Sequence, residues 1–189
     1  MRAGAAVSRE DDVRAAAAQA AGRALAQAGL AHAGCLFVAA TPHHLDEAID
    51  LCAALRAAVG PHARIVGGAA ASVMTLDDEA EEGPALGVLA LEGPAMPFSF
   101  TPGAPASLHA AARAAGPGAL GLVFADPGSS LPQLLAALSR EAPAICFAGG
   151  GVSAEGGVLL DDDLADAVAV GLLVPGGARV AVAQSQKPV

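Results

Sequence analysis

The amino-acid sequence predicts an α/β fold: internally duplicated, mixed β-sheets with helices on the outer faces, a four-layer αββα-like stack. One large mixed sheet flanked by helices is the alternative. Three observations lead there. First, a pattern occurs twice. Residues 35–41 run into Pro42 and then Ile65-Val66-Gly67-Gly68-Ala69, and residues 121–126 run into Pro127 and then Ile145-Cys146-Phe147-Ala148-Gly149-Gly150. Pro42 and Pro127 stand 85 positions apart, Gly67 and Gly149 82, and Gly93 and Gly176 83, the spacing of a repeat. Second, helix-period segments separate some apolar runs, as parallel strand pairs require, while glycine turns separate others, as antiparallel pairs allow. Third, no Pro- or Ser-rich linker divides the copies. The chain reads as one domain, residues 1–189, built from two repeats of about 1–103 and 104–189.

The elements follow in order. Residues 2–7 form a short strand. Ser8 with Asp11 three positions on fits a capping box, opening a helix to about Gly29 with Val13, Ala17, Ala21, Leu25 and Ala28 inward. Residues 35–40 are an apolar strand of the kind buried on both faces. Thr41 is an N-cap and Pro42 a first helical residue for one helix with Leu45, Ile49, Cys52, Leu55 and Val59 on its stripe, stopped by Gly60-Pro61. A strand at 65–69, an acidic loop to about Gly83 and strands at 85–91 and 96–101 complete the first copy. The second has a helix from Pro105 to about Ala115 and a strand at 119–125. A further helix starts at Ser130, where Gln133 completes another capping-box pattern and Leu131, Leu134, Leu135 and Leu138 form the stripe. Strands near 144–148, 158–160, 167–174 and 179–183 close it, giving four helices and about ten strands.

Composition narrows function. With 54% hydrophobic residues in 189 positions and a mean hydropathy of +0.52, the chain fills one core. Its formal charge is −9, with no Trp, no Tyr and five Phe, so it lacks both the basic stripe and the stacking platforms of a nucleic-acid binder. No apolar run reaches the roughly 18 residues of a membrane span, and Arg2, Arg9 and Glu10 bring charge too early for a signal peptide. Cys35, Cys52 and Cys146, scattered in apolar segments, are expected to be buried reduced thiols of a cytoplasmic protein.

Chemistry concentrates at glycine turns and strand-to-helix corners. Gly67-Gly68-Ala69-Ala70-Ala71-Ser72 and Gly149-Gly150-Gly151-Val152-Ser153 each follow an apolar strand. Glycine there either frees N–H donors for a ligand or permits tight packing. Thr41-Pro42-His43-His44 and Asp126-Pro127-Gly128-Ser129-Ser130 lie where α/β folds bind ligands, at strand carboxyl ends beside helix N-termini; plain N-capping is the competing reading. The candidate ligand-binding residues are therefore Thr41, His43, Gly67, Gly68, Ser72, Asp126, Ser129, Gly149, Gly150 and Ser153. His43 and His44 point to different helix faces and cannot both serve one ion, so no metal is expected. The acidic runs Asp77-Asp78-Glu79-Ala80-Glu81-Glu82 and Asp161-Asp162-Asp163 lack the calcium-loop layout and read as solvated loops. Gly116-Pro117-Gly118-Ala119-Leu120-Gly121 matches a dinucleotide fingerprint formally, but a strand follows it where a helix is needed. Ser153 and Ser185 have no nucleophile-elbow context. No catalytic residue and no cofactor is expected.

These residues resemble the N-terminal FIST domain. The likeness rests on the strand ending near Ala40-Thr41-Pro42-His43-His44, on Ile65-Val66-Gly67-Gly68-Ala69, and on Glu82-Gly83-Pro84-Ala85-Leu86-Gly87-Val88-Leu89-Ala90. It continues through Phe124-Ala125-Asp126-Pro127, Ala148-Gly149-Gly150-Gly151, Ala169-Val170-Gly171-Leu172 and the tail Gln184-Ser185-Gln186-Lys187-Pro188-Val189. The resemblance implies a bacterial, intracellular sensory module of signal transduction that binds small molecules such as amino acids. It also implies a partner, either a C-terminal FIST domain or a signalling output protein; the chain is expected to be a solitary domain or a fragment. Some relatives are linked to haem-based gas sensing, which makes haem the one cofactor to weigh. Many members carry a cysteine where this chain has Gly68.

Overall fold

The computed structural model describes residues 1–75, 77–153 and 157–176; the expected strand at 179–183, Ser185 and the tail at 184–189 lie outside them. Sheet 1 has six strands in the order β1-β6-β2-β3-β10-β11: Ala3–Ser8, Leu86–Leu91, Cys35–Ala40, Arg64–Ala69, Val158–Leu160 and Asp163–Ala165. Sheet 2 has four, in the order β7-β12-β8-β9: Met96–Phe100, Ala169–Val174, Leu120–Ala125 and Cys146–Gly151. A separate hairpin pairs β4 (Val73–Met74) with β5 (Glu79–Ala80). The helices are α1 (Val13–Ala28), α2 (Pro42–Leu45), α3 (Ala48–Val59), α4 (Ala106–Ala115) and α5 (Leu131–Glu141).

Strand order and direction match between the sheets. In β1-β6-β2-β3 the first two junctions are antiparallel and the last parallel, and β7-β12-β8-β9 repeats that scheme. Register matches as well, with Val38 beside Gly67 and Val123 beside Gly149. The sheets meet face to face. Val170, Leu172 and Val174 of β12 join the sheet 1 core, while alternate residues Ala169 and Leu173 face a second core with Leu108 of α4 and Leu134 and Leu138 of α5. That period of two is what a strand buried on both faces requires. Phe37 of β2 stacks on Phe124 of β8, ring centroids 4.2 Å apart and planes 17° from parallel. Such a pair adds about 0.5–1.5 kcal/mol beyond its buried area. The stacked arrangement with helices outside is thus the one found, and the single large sheet is not.

Several local expectations need correction. The cap of α1 is Asp12, whose Oδ1 accepts from the Ala15 N–H at 2.8 Å; Ser8 is still in β1. The helix after Pro42 is broken at Asp46-Glu47. The break shifts the phase of α3, burying Ala48, Leu51, Cys52, Leu55 and Val59 and leaving Ile49 66% exposed. On α5 the buried stripe is Leu134, Ala137 and Leu138, with Leu131 and Leu135 exposed. The box expected from Ser130 and Gln133 does not form, since Ser130 makes no side-chain cap bond. Cys35 and Cys52 are buried, and burial pushes both thiols up to about 12, but Cys146 is exposed.

Asp161 is not a solvated loop residue. It turns β10 into β11 at φ 56, accepts from Arg64 Nε at 3.0 Å and the Ile65 N–H at 3.1 Å, and lies 3.7 Å from Arg56. Burial raises its pKa, but these donors outweigh that and hold the carboxyl below its ordinary value. Ion pairing here fastens the β10–β11 hairpin to the edge of β3.

Candidate functional site

The carboxyl ends of the two parallel pairs, β2–β3 and β8–β9, are tied together by backbone. Ala70 N–H donates to Ala40 O, Ser153 N–H to Ala69 O and Val152 N–H to Ala125 O, each at 2.8 Å. Thr41, Gly67, Gly68 and Ser153 therefore gather around one junction, and Asp126 and Ser129 stand at the next corner. Ser72 is exposed in the loop after β3. His43 is exposed and its Nε2 lies 3.2 Å from Asp11 O.

The glycines at this junction answer to packing. Gly67 and Gly68 are buried. A Cβ on Gly67 would overlap the Val38 carbonyl oxygen and sit 2.9 Å from Val38 Cβ. One on Gly68 would overlap Val152 Cγ1 and come within 3.3 Å of Phe124 Cδ1, so a side chain there requires Val152 to move. Gly149, at φ 150, would overlap the Val123 carbonyl oxygen, repeating the close approach made at Gly67. Gly150 meets nothing within 4 Å and is exposed.

The two strand-to-helix corners differ. At the first, Thr41 is buried and its hydroxyl exchanges bonds with Ala85, accepting from the Ala85 N–H at 2.9 Å and reaching Ala85 O at 3.3 Å. His44 is fully enclosed, and neither ring nitrogen has a partner among the described residues. Burial, then the neighbouring His43, lowers its pKa, so the imidazole is held neutral. This corner is closed, and α2 is only four residues long.

The second corner opens. Asp126 Oδ1 accepts from the Gly128 N–H at 2.8 Å, and Asp126 O accepts from the Ser129 hydroxyl at 2.6 Å. These bonds shape a tight turn that delivers Ser129 and Ser130 to the start of α5. From there a groove of about 560 Å³ follows α5, lined by Pro102, Ser129, Ser130, Gln133, Leu134, Ala136, Ala137, Arg140 and Val168. Hydroxyls, a carboxamide and a guanidinium thus share one surface with an apolar floor, the make-up of a small-molecule cleft. The sequence marks Ser129 as a candidate and Gln133 as a capping residue; it carries no signal for Arg140 or Val168, which only the fold brings alongside. A second groove, of about 370 Å³, lies at the far end of α4 and α5, where His109 Nε2 is 3.0 Å from Glu141 Oε2.

The groove thus lies beside the carboxyl end of β8, the position where ligands commonly sit in α/β folds. A profile of the FIST N domain matches residues 32–189. The chain therefore belongs to the FIST N family, whose domain is assigned to small-ligand sensing in signalling proteins. No curated protein matches the chain. No helix among the described residues is long and apolar enough to cross a membrane.

Proposed function

We propose that this FIST N domain is a non-catalytic sensory module that binds a small polar molecule, such as an amino acid, in the groove along α5. The observation that carries the reading is the open second corner. Ser130 occupies the N-cap position of α5 without using its hydroxyl as a cap, so its hydroxyl and the N–H groups of Leu131 and Gln133, on either side of Pro132, are placed to receive a carboxylate. Gln133 offers both donor and acceptor, Arg140 a charged donor, and Leu134, Ala137 and Val168 an apolar floor. Binding would favour one packing of α5 against sheet 2 over another. A C-terminal FIST domain or a signalling output protein would read that difference.

Haem is not part of this proposal. His44, buried with no hydrogen-bond partner for either nitrogen among the described residues, is enclosed and offers no open face for a porphyrin, and the neighbouring His43 has its Nε2 3.2 Å from Asp11 O.

The test is thermal unfolding across an amino-acid panel, with the wild type beside Gln133→Ala and Arg140→Ala. A ligand at a hundred times its dissociation constant stabilises by about 2.7 kcal/mol, a rise of roughly 5–11 °C for a chain of this length. Both substitutions should abolish the rise. No shift at millimolar concentrations, or a shift that survives both substitutions, would refute the assignment.

A further inference from the structure

We infer that β9 is a docking edge that takes an extended apolar strand from a partner polypeptide, added antiparallel beyond Cys146–Gly151. Backbone polar groups on a sheet edge are open to another chain unless something occupies them. On each of the three other edges of the two main sheets at least one backbone group is engaged by a side chain of the chain itself. On β1 the Ala5 N–H donates to Gln27 Oε1 at 2.6 Å, and Arg23 reaches Val7 O at 3.4 Å. On β7 Pro97 has no N–H, and the Ser99 N–H donates to Ser107 Oγ at 3.1 Å. On β11 the Leu164 N–H goes to the Asp163 carboxylate at 2.7 Å.

The fourth edge has no such device among the described residues. Cys146 and Val152 direct their N–H groups toward β8, to Ala119 O and Ala125 O. By the alternation of a strand, Phe147, Gly149 and Gly151 direct theirs outward. No described group takes them, and β9 carries neither charge nor proline. Glycines at 149–151 leave the edge exposed, with little side-chain bulk to hinder an approaching backbone.

The fold itself carries the template for the occupant. At the matching place in sheet 1, β3 is extended by β10, antiparallel, with Leu159 opposite Gly67 and Val158 opposite Gly68. Transferred to β9, the same pairing sets a leucine opposite Gly149 and a valine opposite Gly150. An apolar surface awaits the leucine, whose side chain shares the face of Gly149 and Gly151: Leu131 is 39% exposed and its Cδ1 lies 3.8 Å from a Cβ position at Gly151, and Leu135, one turn along α5, is 49% exposed. Main-chain bonds to Phe147, Gly149 and Gly151 supply affinity, and Leu131 and Leu135 select apolar side chains. The groove along α5 is not involved, so this inference stands or falls apart from the ligand proposal.

The experiment uses the full, isotope-labelled chain and a synthetic peptide of residues 157–163, which carries the β10 pattern. Amide hydrogen exchange at Phe147, Gly149 and Gly151 should be fast in the free chain and at least tenfold slower with millimolar peptide. Gly151→Pro, which deletes one outward donor at a position with room for a side chain, should abolish the protection. A peptide N-methylated at alternate residues should give none to either protein, which covers the case of a Gly151→Pro chain that fails to fold. Three results would overturn the inference: no protection by the peptide, slow exchange already present in the free monomer because the chain covers its own edge, or slow exchange that tracks a dimer in light scattering.

Discussion

Adding one methyl group at Gly67 tests whether the glycine turns are built for packing. In Gly67→Ala the new Cβ would lie on the Val38 carbonyl oxygen, 2.9 Å from Val38 Cβ and 3.2 Å from the Val38 carbonyl carbon. Ordinary carbon contacts sit at about 3.5–4.0 Å. Val38 cannot retreat easily, because β2 is held by β3 on one side and β6 on the other. Overpacking of this kind costs about 1–3 kcal/mol, and a clash with sheet backbone belongs at the upper end. Gly150→Ala is the control: nothing lies within 4 Å, and the less flexible unfolded chain repays about 0.4–1 kcal/mol. The two variants should differ by about 3 kcal/mol, or roughly 6–12 °C in Tm. With no Trp or Tyr in the chain, circular dichroism or calorimetry is the readout. Equal midpoints for the two variants would refute the packing account of Gly67.

Other perturbations follow from the same structure. His44 is held neutral when folded, so its folded pKa lies below the unfolded value near 6.5. Its contribution is full above that pH and is lost as pH falls through it, at up to about 1.4 kcal/mol per pH unit. In His44→Leu, urea midpoints at pH 5.5 and 7.5 should move closer together than in wild type. A thiol reagent should modify Cys146 quickly in the native protein, and Cys35 and Cys52 only on unfolding, as mass spectrometry would record. Phe37→Ala and Phe124→Ala should each destabilise by about 2–4 kcal/mol, with a coupling energy of about 1 kcal/mol in a double-mutant cycle. Asp161→Asn should lower stability at pH 7 and narrow its loss in acid, because a carboxyl with a depressed pKa stabilises above its unfolded value and loses that as pH falls.

Much of the architecture was legible because β2, β6, β8 and β12 are strongly apolar and their spacing recurs. What sequence periodicity missed was decided by contacts between distant segments. Ile49 looked like a stripe residue only while residues 42–59 were one helix; the break at Asp46-Glu47 rotated it into solvent. Asp161 looked like one of three solvated aspartates, because Arg56 and Arg64 approach it only once β10 lies along β3. The corners at Thr41 and Ser130 read alike in sequence, yet Ala85 claims the Thr41 hydroxyl and no described residue claims that of Ser130. The paired glycines were legible as special positions, but their reason, the neighbouring carbonyls of Val38 and Val123, becomes visible only in register.

The pairing of β10 with β3 also sets an order of events at birth. The outer side of β3 cannot be sealed until residues 70–157 have left the ribosome, which at 5–20 residues per second takes roughly 4–18 s. For that interval the nascent chain carries an unsealed apolar margin around Val66 and Gly67. Its closure late in translation, by a hairpin pinned through Asp161, makes completion of the first sheet wait upon the second.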